Sequence, residues 1–235
     1  MNILGIDSSG LVATVALLCD DILVGEYTIH NKKTHSQTLL PMIDQMLTMA
    51  DFSVKDLDAI AVAEGPGSFT GLRIGASTAK GLGQALQIPL IPVPSLAGLA
   101  FNLAGTDSVI CAMMDARRNQ AYYGIYRFVE NRLEELVPQA AAPICDVIEQ
   151  VNKIGDKTIF VGDGVPVFRE QLEKELAVEY AWAEDSTRYQ KAASVAVLGK
   201  HYMAMGKAVT AKEFSPVYLR MSQAERERME KKNEK

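Results

Sequence analysis

The chain has 235 residues, a formal net charge of −5, and 48% hydrophobic against 23% charged residues. This is the composition of an ordinary globular protein, and the length allows one large domain or two small ones. The negative charge argues against tight independent binding to nucleic acid, which needs a concentrated basic surface. No apolar run approaches the ~18 residues of a membrane span, so we expect a cytoplasmic protein that does not bind membranes.

The spacing of cysteine and histidine gives little support for metal or disulfide chemistry. The cysteines, Cys19, Cys111 and Cys145, are widely separated and form no Cys-x-x-Cys pair, so neither a disulfide framework nor a zinc ribbon is indicated. The histidines form no i, i+4 pair and no His-Glu-x-x-His motif. We therefore predict no metal site.

Three apolar runs separated by polar turns predict a meander of strands at the amino terminus: residues 1–6, 13–18 and 22–29. Asp7 ends the first run, and Ser8 and Ser9 follow it in a turn. This arrangement resembles the one with which actin-like and Hsp70-like ATPases hold phosphate and metal. The same residues are also ordinary turn chemistry.

Residues 35–50 are predicted to form a helix because apolar residues recur there at helical spacing. Leu39, Ile43 and Met46 lie on the apolar face, which is broader than one core contact requires. A methionine-rich face is typical of adaptable partner-binding surfaces. A fully buried core helix would show the same pattern.

A glycine-rich turn joins a strand predicted over 57–63 to a helix predicted over 72–86. Gly65 and Gly67 can take the positive φ values that such a turn needs. The turn lacks the third glycine of a dinucleotide fingerprint and the Gly-Lys-Ser/Thr of a Walker P-loop. It is compatible with an anion site or with a tight turn that binds nothing.

The start of the second helix is suited to an anion. Ser68 and Thr70 are both plausible N-caps, and Arg73 adds positive charge to a helix end that is already positive. Small residues then recur every fourth position along one face of the helix: Gly71, Gly75, Ala79 and Gly83. Each glycine inside a helix costs about 1 kcal/mol relative to alanine, so the pattern predicts close approach of another element. That element could belong to this chain or to another.

The opening pattern recurs in the second half of the chain, after loop residues at 105–107. An apolar run over 109–114 ends at Asp115, a polar turn with Arg117 and Arg118 follows, and a second apolar run returns. The repetition predicts two related halves. We therefore place domains at 1–105 and 106–213, followed by a charged helical tail at 214–235.

The remaining residues predict a linker at 138–143, helices at 144–151, 167–176 and 191–205, and strands at 158–161 and 180–183. Ala193, Val197 and Leu198 mark the apolar side of the last helix. Gly162 and Gly164 form a turn after the strand at 158–161. A charged stretch at 223–235 is expected to be a solvated helix.

Three separated motifs give the sequence its most specific resemblance. They are Gly5-Ile6-Asp7-Ser8-Ser9, the stretch GPGSFTGLRIG from Gly65 to Gly75 with Ala79-Lys80-Gly81-Leu82 after it, and Asp115-Ala116-Arg117-Arg118. In this order they resemble the bacterial TsaB (YeaZ) family. The resemblance implies an α/β fold of two actin-like, Hsp70-like domains (the ASKHA superfold, ribonuclease H-like) that arose by tandem duplication.

The resemblance also implies a role. TsaB is the non-catalytic partner of TsaD, and with the ATPase TsaE they transfer a threonylcarbamoyl group to the adenosine beside the anticodon of tRNAs that read codons beginning with adenine. We expect this chain to bind TsaD, or a second copy of itself when alone, through its first two helices, and tRNA only through the complex. The expected contact residues are Leu39, Ile43, Met46, Gly71, Arg73, Gly75 and Ala79. A bulky residue at Gly75 should then abolish partner binding while the chain stays folded.

The same comparison suggests which chemistry is missing. Matching TsaD through Pro92-Val93-Pro94 puts Ser95 and Leu99 at the places of two metal-binding histidines, and leucine cannot ligate a metal. A glycine-rich phosphate turn of TsaD is replaced by Ala116-Arg117-Arg118, whose side chains fill the space. We expect no cofactor, with ATP bound at most weakly or at a partner interface. The residues of a possible vestigial nucleotide site are Asp7, Ser8, Ser9, Asp115, Arg117, Arg118, Gly162 and Gly164.

Three other functions stay open from the sequence. A metallopeptidase-like enzyme, the glycoprotease activity once attached to the wider family's name, would need a metal or nucleophile set. A small-molecule kinase of the same superfold would need intact phosphate turns. A chaperone-like or regulatory module would be identified by the protein that co-purifies with it.

Overall fold

The computed structural model describes residues 1–31 and 34–220. They form two five-stranded sheets with helices on both faces. In chain order the elements are β1 (Asn2–Asp7), β2 (Ala13–Cys19), β3 (Ile22–Ile29), α1 (His35–Met49), β4 (Ala59–Gly65), α2 (Phe69–Leu86), β5 (Leu90–Pro94), α3 (Ser95–Phe101), β6 (Val109–Asp115), β7 (Gln120–Val129), β8 (Arg132–Pro143), α4 (Ile144–Ile154), β9 (Thr158–Val161), α5 (Gly164–Glu175), β10 (Tyr180–Trp182) and α6 (Ala192–Ala204).

The two sheets have the same topology. Their strand orders are β3-β2-β1-β4-β5 and β8-β7-β6-β9-β10. In each sheet the first three strands are antiparallel, and the last two run parallel to the first. The segment from β1 to α3 thus repeats as the segment from β6 to α6. This confirms the predicted α/β class and the tandem duplication of an actin-like domain.

The last helix of each repeat, α3 or α6, packs on the sheet of the other repeat. Helix α6 lies on the first sheet, α3 lies mainly on the second, and the two helices pack against each other. One core cluster therefore joins both sheets. Helix α6 approaches β1 and β4 closely because Gly5 and Gly199 carry no side chain, and a Cβ on either glycine would clash with the opposing element.

This packing bears on the predicted domain limits, which stay a prediction. The second domain is predicted over 106–213, yet α6 packs on the first sheet within the core cluster that joins both sheets. Phe214 is buried in a different cluster, beside α1 and α2. The structural first domain is thus completed by the carboxy-terminal part of the described chain. The charged stretch predicted at 223–235 lies outside the described residues.

Two predictions about single elements are wrong in detail. Residues 138–143 are not a linker, because they continue β8, which pairs with β7 as an edge strand; prolines are tolerated at such an edge. In α6 the apolar side was placed at Ala193, Val197 and Leu198, yet only Leu198 of these is buried. The helix is covered by the first sheet and by α3, so its pattern has no single apolar side. None of the helices in the described ranges is long and apolar enough to cross a bilayer.

Candidate functional site

A cavity of about 310 Å³ lies where the two repeats face each other. The β1–β2 turn, the β4–α2 turn and the β6–β7 turn each supply part of its wall, and the last described residues of the chain supply another part. The lining residues are Ser9, Gly10, Leu11, Gly67, Ser68, Phe69, Met114, Asp115, Ala116, Arg117, Tyr122, Asp163, Val217, Tyr218, Leu219 and Arg220.

The two hairpin turns on either side of the cavity share one hydrogen-bond geometry. Asp7 Oδ1 accepts a hydrogen bond from the Ser9 amide at 2.7 Å. Asp115 Oδ1 accepts the equivalent bond from the Arg117 amide, also at 2.7 Å. The duplication has therefore placed an aspartate at the end of the first strand of each repeat, and Asp115 of the two lines the cavity.

The β4–α2 turn holds the start of α2 against the first hairpin. Gly65 adopts a φ of 123°, as predicted, whereas Gly67 is not among the residues with positive φ. Ser68 is the N-cap, and its Oγ accepts a hydrogen bond from the Gly71 amide at 3.2 Å. The Ser68 amide donates to the Ser9 carbonyl oxygen at 2.7 Å. The amino end of α2 is thereby fixed beside the cavity.

Several buried polar atoms around the cleft have no hydrogen-bond partner. They are Asp7 Oδ2, Ser9 Oγ and Asp163 Oδ1. Burial raises the pKa of Asp7 to about 6 and the pKa of Asp163 to about 6. Buried polar groups are normally paired, so unpaired oxygens at a cavity indicate a place for water or a ligand. Two of these oxygens, Ser9 Oγ and Asp163 Oδ1, belong to residues that line the cavity, where a water molecule or a hydrogen-bond donor could meet them.

The β6–β7 turn has a left-handed backbone at three successive residues. Arg117, Arg118 and Asn119 all have positive φ, between 56° and 66°, a conformation that glycine adopts without strain and other residues rarely do. Arg117 places its guanidinium 3.3 Å from Asp115 Oδ2, and its side chain is largely exposed. The turn has kept the backbone path of a glycine loop while carrying side chains.

The structure gathers only part of the predicted nucleotide set at the cavity. Ser9, Asp115 and Arg117 line it. Asp7 and Ser8 lie in the same turn as Ser9 but are buried, and Arg118 is exposed outside the lining. Gly162 and Gly164 pack against the end of β6, and only Asp163 between them reaches the cavity. The sequence analysis missed Asp163 as a site residue, although its place after a short strand was visible.

Six of the seven residues predicted to bind a partner are not available at the surface. Leu39, Ile43 and Met46 are each exposed by 2% or less, because they form the core between α1 and the first sheet. Gly71, Gly75 and Ala79 are also buried. The chain's own hairpin and sheet cover both sets of positions, so this packing disfavours the predicted contacts, which stay a prediction.

The seventh residue, Arg73, is exposed but faces aromatic rings rather than an anion. Its guanidinium carbon lies 3.9 Å from the centre of the Phe69 ring, and its Nε donates to the Tyr218 hydroxyl at 3.2 Å. The prediction that Arg73 strengthens an anion site is therefore not supported by its contacts.

A groove lies between α1 and α2, next to the predicted contact face. It has a volume of about 580 Å³, and Leu40 on its α1 side is 54% exposed. The other lining residues are Ser36, Leu39, Phe69, Thr70, Arg73, Ile74, Ser77 and Thr78. In the sequence Leu40 only widens the apolar face of the helix, and it is not among the predicted contact residues.

The segment after α6 is a second feature that sequence reasoning missed. Val209 pairs with Leu90 at the edge of the first sheet. The carbonyl oxygen of Phe214 accepts a hydrogen bond from Lys80 Nζ at 2.7 Å. Residues 214–220, named here the C-terminal strap, then run to the cavity. No repeating pattern in this segment pointed to such a course.

The positions matched to metal ligands are occupied by structural residues. Ser95 is fully buried, and its Oγ accepts a hydrogen bond from the Gly65 amide at 3.1 Å. Leu99 is fully buried in the core between the sheets. Within residues 1–31 and 34–220, no group of three His, Cys, Asp or Glu side chains is placed to hold a metal ion.

Comparisons with known proteins give the chain its family. The family profile described as TsaD, tRNA N6-adenosine threonylcarbamoyltransferase, matches residues 23–228. The tRNA threonylcarbamoyladenosine biosynthesis protein TsaB of Bacillus subtilis is 34% identical over 225 residues, which are 96% of each chain. TsaB of Escherichia coli is 30% identical over 224 residues, which cover 94% of this chain and 95% of that one.

A solved structure agrees with these sequence matches. A crystal structure from Pseudomonas aeruginosa, described as an uncharacterized protein with similarity to peptidase YeaZ, superposes with a TM-score of 0.80 at 29% identity. The match covers 93% of this chain and 99% of that chain. The chain therefore belongs to the TsaB (YeaZ) family, which takes part in the biosynthesis of threonylcarbamoyladenosine in tRNA.

Proposed function

We propose that this chain is a non-catalytic subunit that binds TsaD and, with TsaE, supports threonylcarbamoyl transfer to the adenosine 3′ of the anticodon. One observation carries the proposal: the positions matched to the metal-binding histidines of TsaD are held by Ser95 and Leu99, both fully buried. Ser95 Oγ already accepts a hydrogen bond from the Gly65 amide, and Leu99 packs in the core between the sheets. Neither is available to ligate a metal, so the chemistry is assigned to the partner.

The groove between α1 and α2 is the proposed docking surface. Leu40 lines the groove from α1 and is 54% exposed. Phe69 and Ile74 add apolar surface on the α2 side, and both are only partly buried. The helices are rigid because their inner faces are packed on the first sheet. A rigid apolar groove suits helix packing by TsaD, or by a second copy of this chain when TsaD is absent.

Two features limit what the chain does alone. Its net charge of −5 argues that tRNA is held through the complex. The side chains of the β6–β7 turn and the C-terminal strap occupy part of the cleft, so we propose that ATP binds the isolated chain weakly.

The test uses one charge placed in the groove. Leu40→Glu puts a carboxylate at the proposed contact, and Val167→Glu on α5, at a residue 57% exposed, is the matched control in the other repeat. Both substitutions are on exposed positions, so both proteins should fold. Purified variants are mixed with TsaD for size-exclusion chromatography, then with TsaE, a TsaC-type enzyme, threonine, bicarbonate, ATP and tRNA.

Leu40→Glu should lose co-elution with TsaD and reduce modified adenosine by at least about tenfold, the effect of burying one unpaired charge at an interface. Val167→Glu should match the wild type. Unchanged co-elution of Leu40→Glu would remove the groove as the docking surface. Full modification of tRNA by TsaD and TsaE without this chain would remove the subunit role.

A further inference from the structure

The groove between α1 and α2 is apolar except for one charge. Among the described residues that line it, only Arg73 carries a charged side chain. The others are apolar or bear a hydroxyl group: Ser36, Leu39, Leu40, Phe69, Thr70, Ile74, Ser77 and Thr78. A partner that fills the groove and uses all of it therefore needs an apolar side chain with a negative charge beside it.

Two aromatic rings hold the Arg73 side chain in place. Its guanidinium carbon lies 3.9 Å from the centre of the Phe69 ring and 6.0 Å from the centre of the Tyr218 ring. Its Nε donates to the Tyr218 hydroxyl at 3.2 Å. Because a side chain that is already fixed loses less entropy when a complex forms, the guanidinium is prepared for binding.

The chain itself supplies no anion for this guanidinium. Within residues 1–31 and 34–220, Arg73 forms no ion pair. Its Nε is taken by Tyr218, while its Nη1 and Nη2 atoms have no hydrogen-bond partner in the same ranges. Two such nitrogens can donate parallel hydrogen bonds to one carboxylate. The free face of Arg73 therefore suits a carboxylate from another molecule.

Helix α1 carries an exposed carboxylate next to the groove. Asp44 follows Leu40 by four residues, so it lies one helical turn farther along the same side of α1. Leu40 and Ser36, which precede it in this row, line the groove. Asp44 also forms no ion pair among the residues that the structure describes. One surface thus presents an apolar side chain, a carboxylate and a guanidinium, with both charges uncompensated.

Such a surface is complementary to a second copy of itself. In a symmetric dimer the same patch of both subunits is in contact, so a residue of one copy meets a different residue of the other. When α1 of a second copy lies along the groove, it brings Leu40 for the apolar part and Asp44 one turn away for Arg73. Charge complementarity therefore favours a second copy as the occupant.

We propose that two copies of this chain associate through this groove and that Arg73 of each copy pairs with Asp44 of the other. The proposal rests on the groove as the docking surface of the proposed function, and it adds the charge pair that aligns two copies. Charge pairs at an interface contribute to specificity more than to affinity. The apolar contact of Leu40 therefore supplies most of the affinity, and the charge pair fixes the alignment.

A charge swap in the full chain, with no other protein present, tests the pair. Arg73→Glu sets two carboxylates against each other and Asp44→Arg sets two guanidinium groups against each other. Each should raise the Kd of self-association, measured by analytical ultracentrifugation, by at least about tenfold. The double variant that combines both substitutions restores opposite charges and should return to within about threefold of the wild-type Kd.

Two controls separate the charge pair from other effects. Lys174→Glu reverses an exposed charge on α5, in the other repeat, and should leave the Kd of self-association unchanged. Arg73→Glu also removes the contact with Tyr218, but it does so in the single and the double variant alike. Recovery in the double variant therefore reports the charge pair and not the position of the strap.

Four results would overturn the proposal. They are a wild type that stays monomeric at its highest soluble concentration, an unchanged Kd in either single variant, no recovery in the double variant, and a loss of TsaD binding by Arg73→Glu with unchanged self-association. The last result would assign the guanidinium to TsaD. Because the ultracentrifugation contains no TsaD, failure of the charge pair leaves the test of Leu40→Glu against TsaD intact.

Discussion

Ser8 fills the space that Gly75 leaves open on α2: a Cβ atom on Gly75 would lie only 2.6 Å from Ser8 Oγ. The same Ser8 Oγ donates to the Gly71 carbonyl oxygen at 2.8 Å. The end of β1 is thereby fixed against the first turns of α2, beside the cleft. The small residues of α2 therefore serve packing within the first domain.

Substitution at Gly75 should consequently damage the fold itself. Gly75→Val forces a branched side chain against Ser8, and overpacking of this kind costs about 1–3 kcal/mol. This outcome differs from the expectation, drawn from the sequence, that a bulky residue here leaves the chain folded. Urea unfolding of the purified chain measures the loss in free energy of unfolding.

Gly81 in the same helix is the matched control. It is exposed, and a Cβ there would meet nothing within 4 Å. Gly81→Ala should raise the free energy of unfolding by about 1 kcal/mol, because alanine loses less backbone entropy in a helix. Equal effects of Gly75→Val and Gly81→Ala would contradict the close contact with Ser8.

The buried carboxyl of Asp7 should make stability depend on pH. Burial raises its pKa from 3.8 to about 6, so the folded state holds this proton more tightly than the unfolded state. The free energy of unfolding therefore falls as pH rises from 3.8 to about 6. At 1.36 kcal/mol per pKa unit, the loss at neutral pH is about 2–3 kcal/mol.

Asp7→Asn tests this effect, because asparagine keeps an oxygen that can accept from the Ser9 amide and cannot ionise. The variant should be more stable than the wild type by about 2 kcal/mol at pH 7.5, and of similar stability at pH 4. Asp44→Asn on the exposed side of α1 controls for the loss of one negative charge. If Asp7→Asn raises the free energy of unfolding equally at pH 7.5 and pH 4, the stabilisation does not come from removing an ionisable group.

The strained β6–β7 turn offers a stabilising substitution. Arg118 has a φ of 56° and an exposed side chain. A left-handed conformation costs a residue with a Cβ about 1–2 kcal/mol, and glycine avoids this cost. Arg118→Gly should therefore raise the free energy of unfolding by about 1 kcal/mol, as measured in urea. Arg118→Ala removes the same side chain but keeps the Cβ, so it should show no gain.

Periodicity predicted the elements of both repeats well, because each apolar strand and helix is bounded by glycine or polar turns. Periodicity could not show whether an apolar face is covered by the chain's own core or by a partner. Leu39, Ile43 and Met46 have the spacing of a core face and of a binding face alike, and only the packing of α1 on the first sheet decides between them. The matched aspartates at Asp7 and Asp115 were predictable, since each ends an apolar run.

Features formed by distant parts of the chain were not predictable. Residues 138–143 carry two prolines and read as a linker, yet pairing with β7 makes them a strand. The contact of Gly199 with Ala61 requires α6 to cross back to the first sheet. The C-terminal strap has no apolar period, because single contacts such as the Val217 amide with Glu64 hold it.

Phe214 should prove essential to the first domain although it lies near the end of the described chain. It is 2% exposed and packs in the cluster that includes α1, α2 and the first sheet. Truncating a buried phenylalanine to alanine costs about 3–5 kcal/mol through lost burial and the cavity left behind. Phe214→Ala should lower the free energy of unfolding by an amount in this range, measured by urea denaturation.

Tyr218→Ala is the comparison for Phe214→Ala, because Tyr218 is an aromatic residue of the same strap that is 39% exposed. Removing the Tyr218 ring should lower the free energy of unfolding by about 1 kcal/mol, which is a typical energy for an aromatic pair. If the two variants lose similar stability, Phe214 is not part of the core. The first domain would then be complete without the strap.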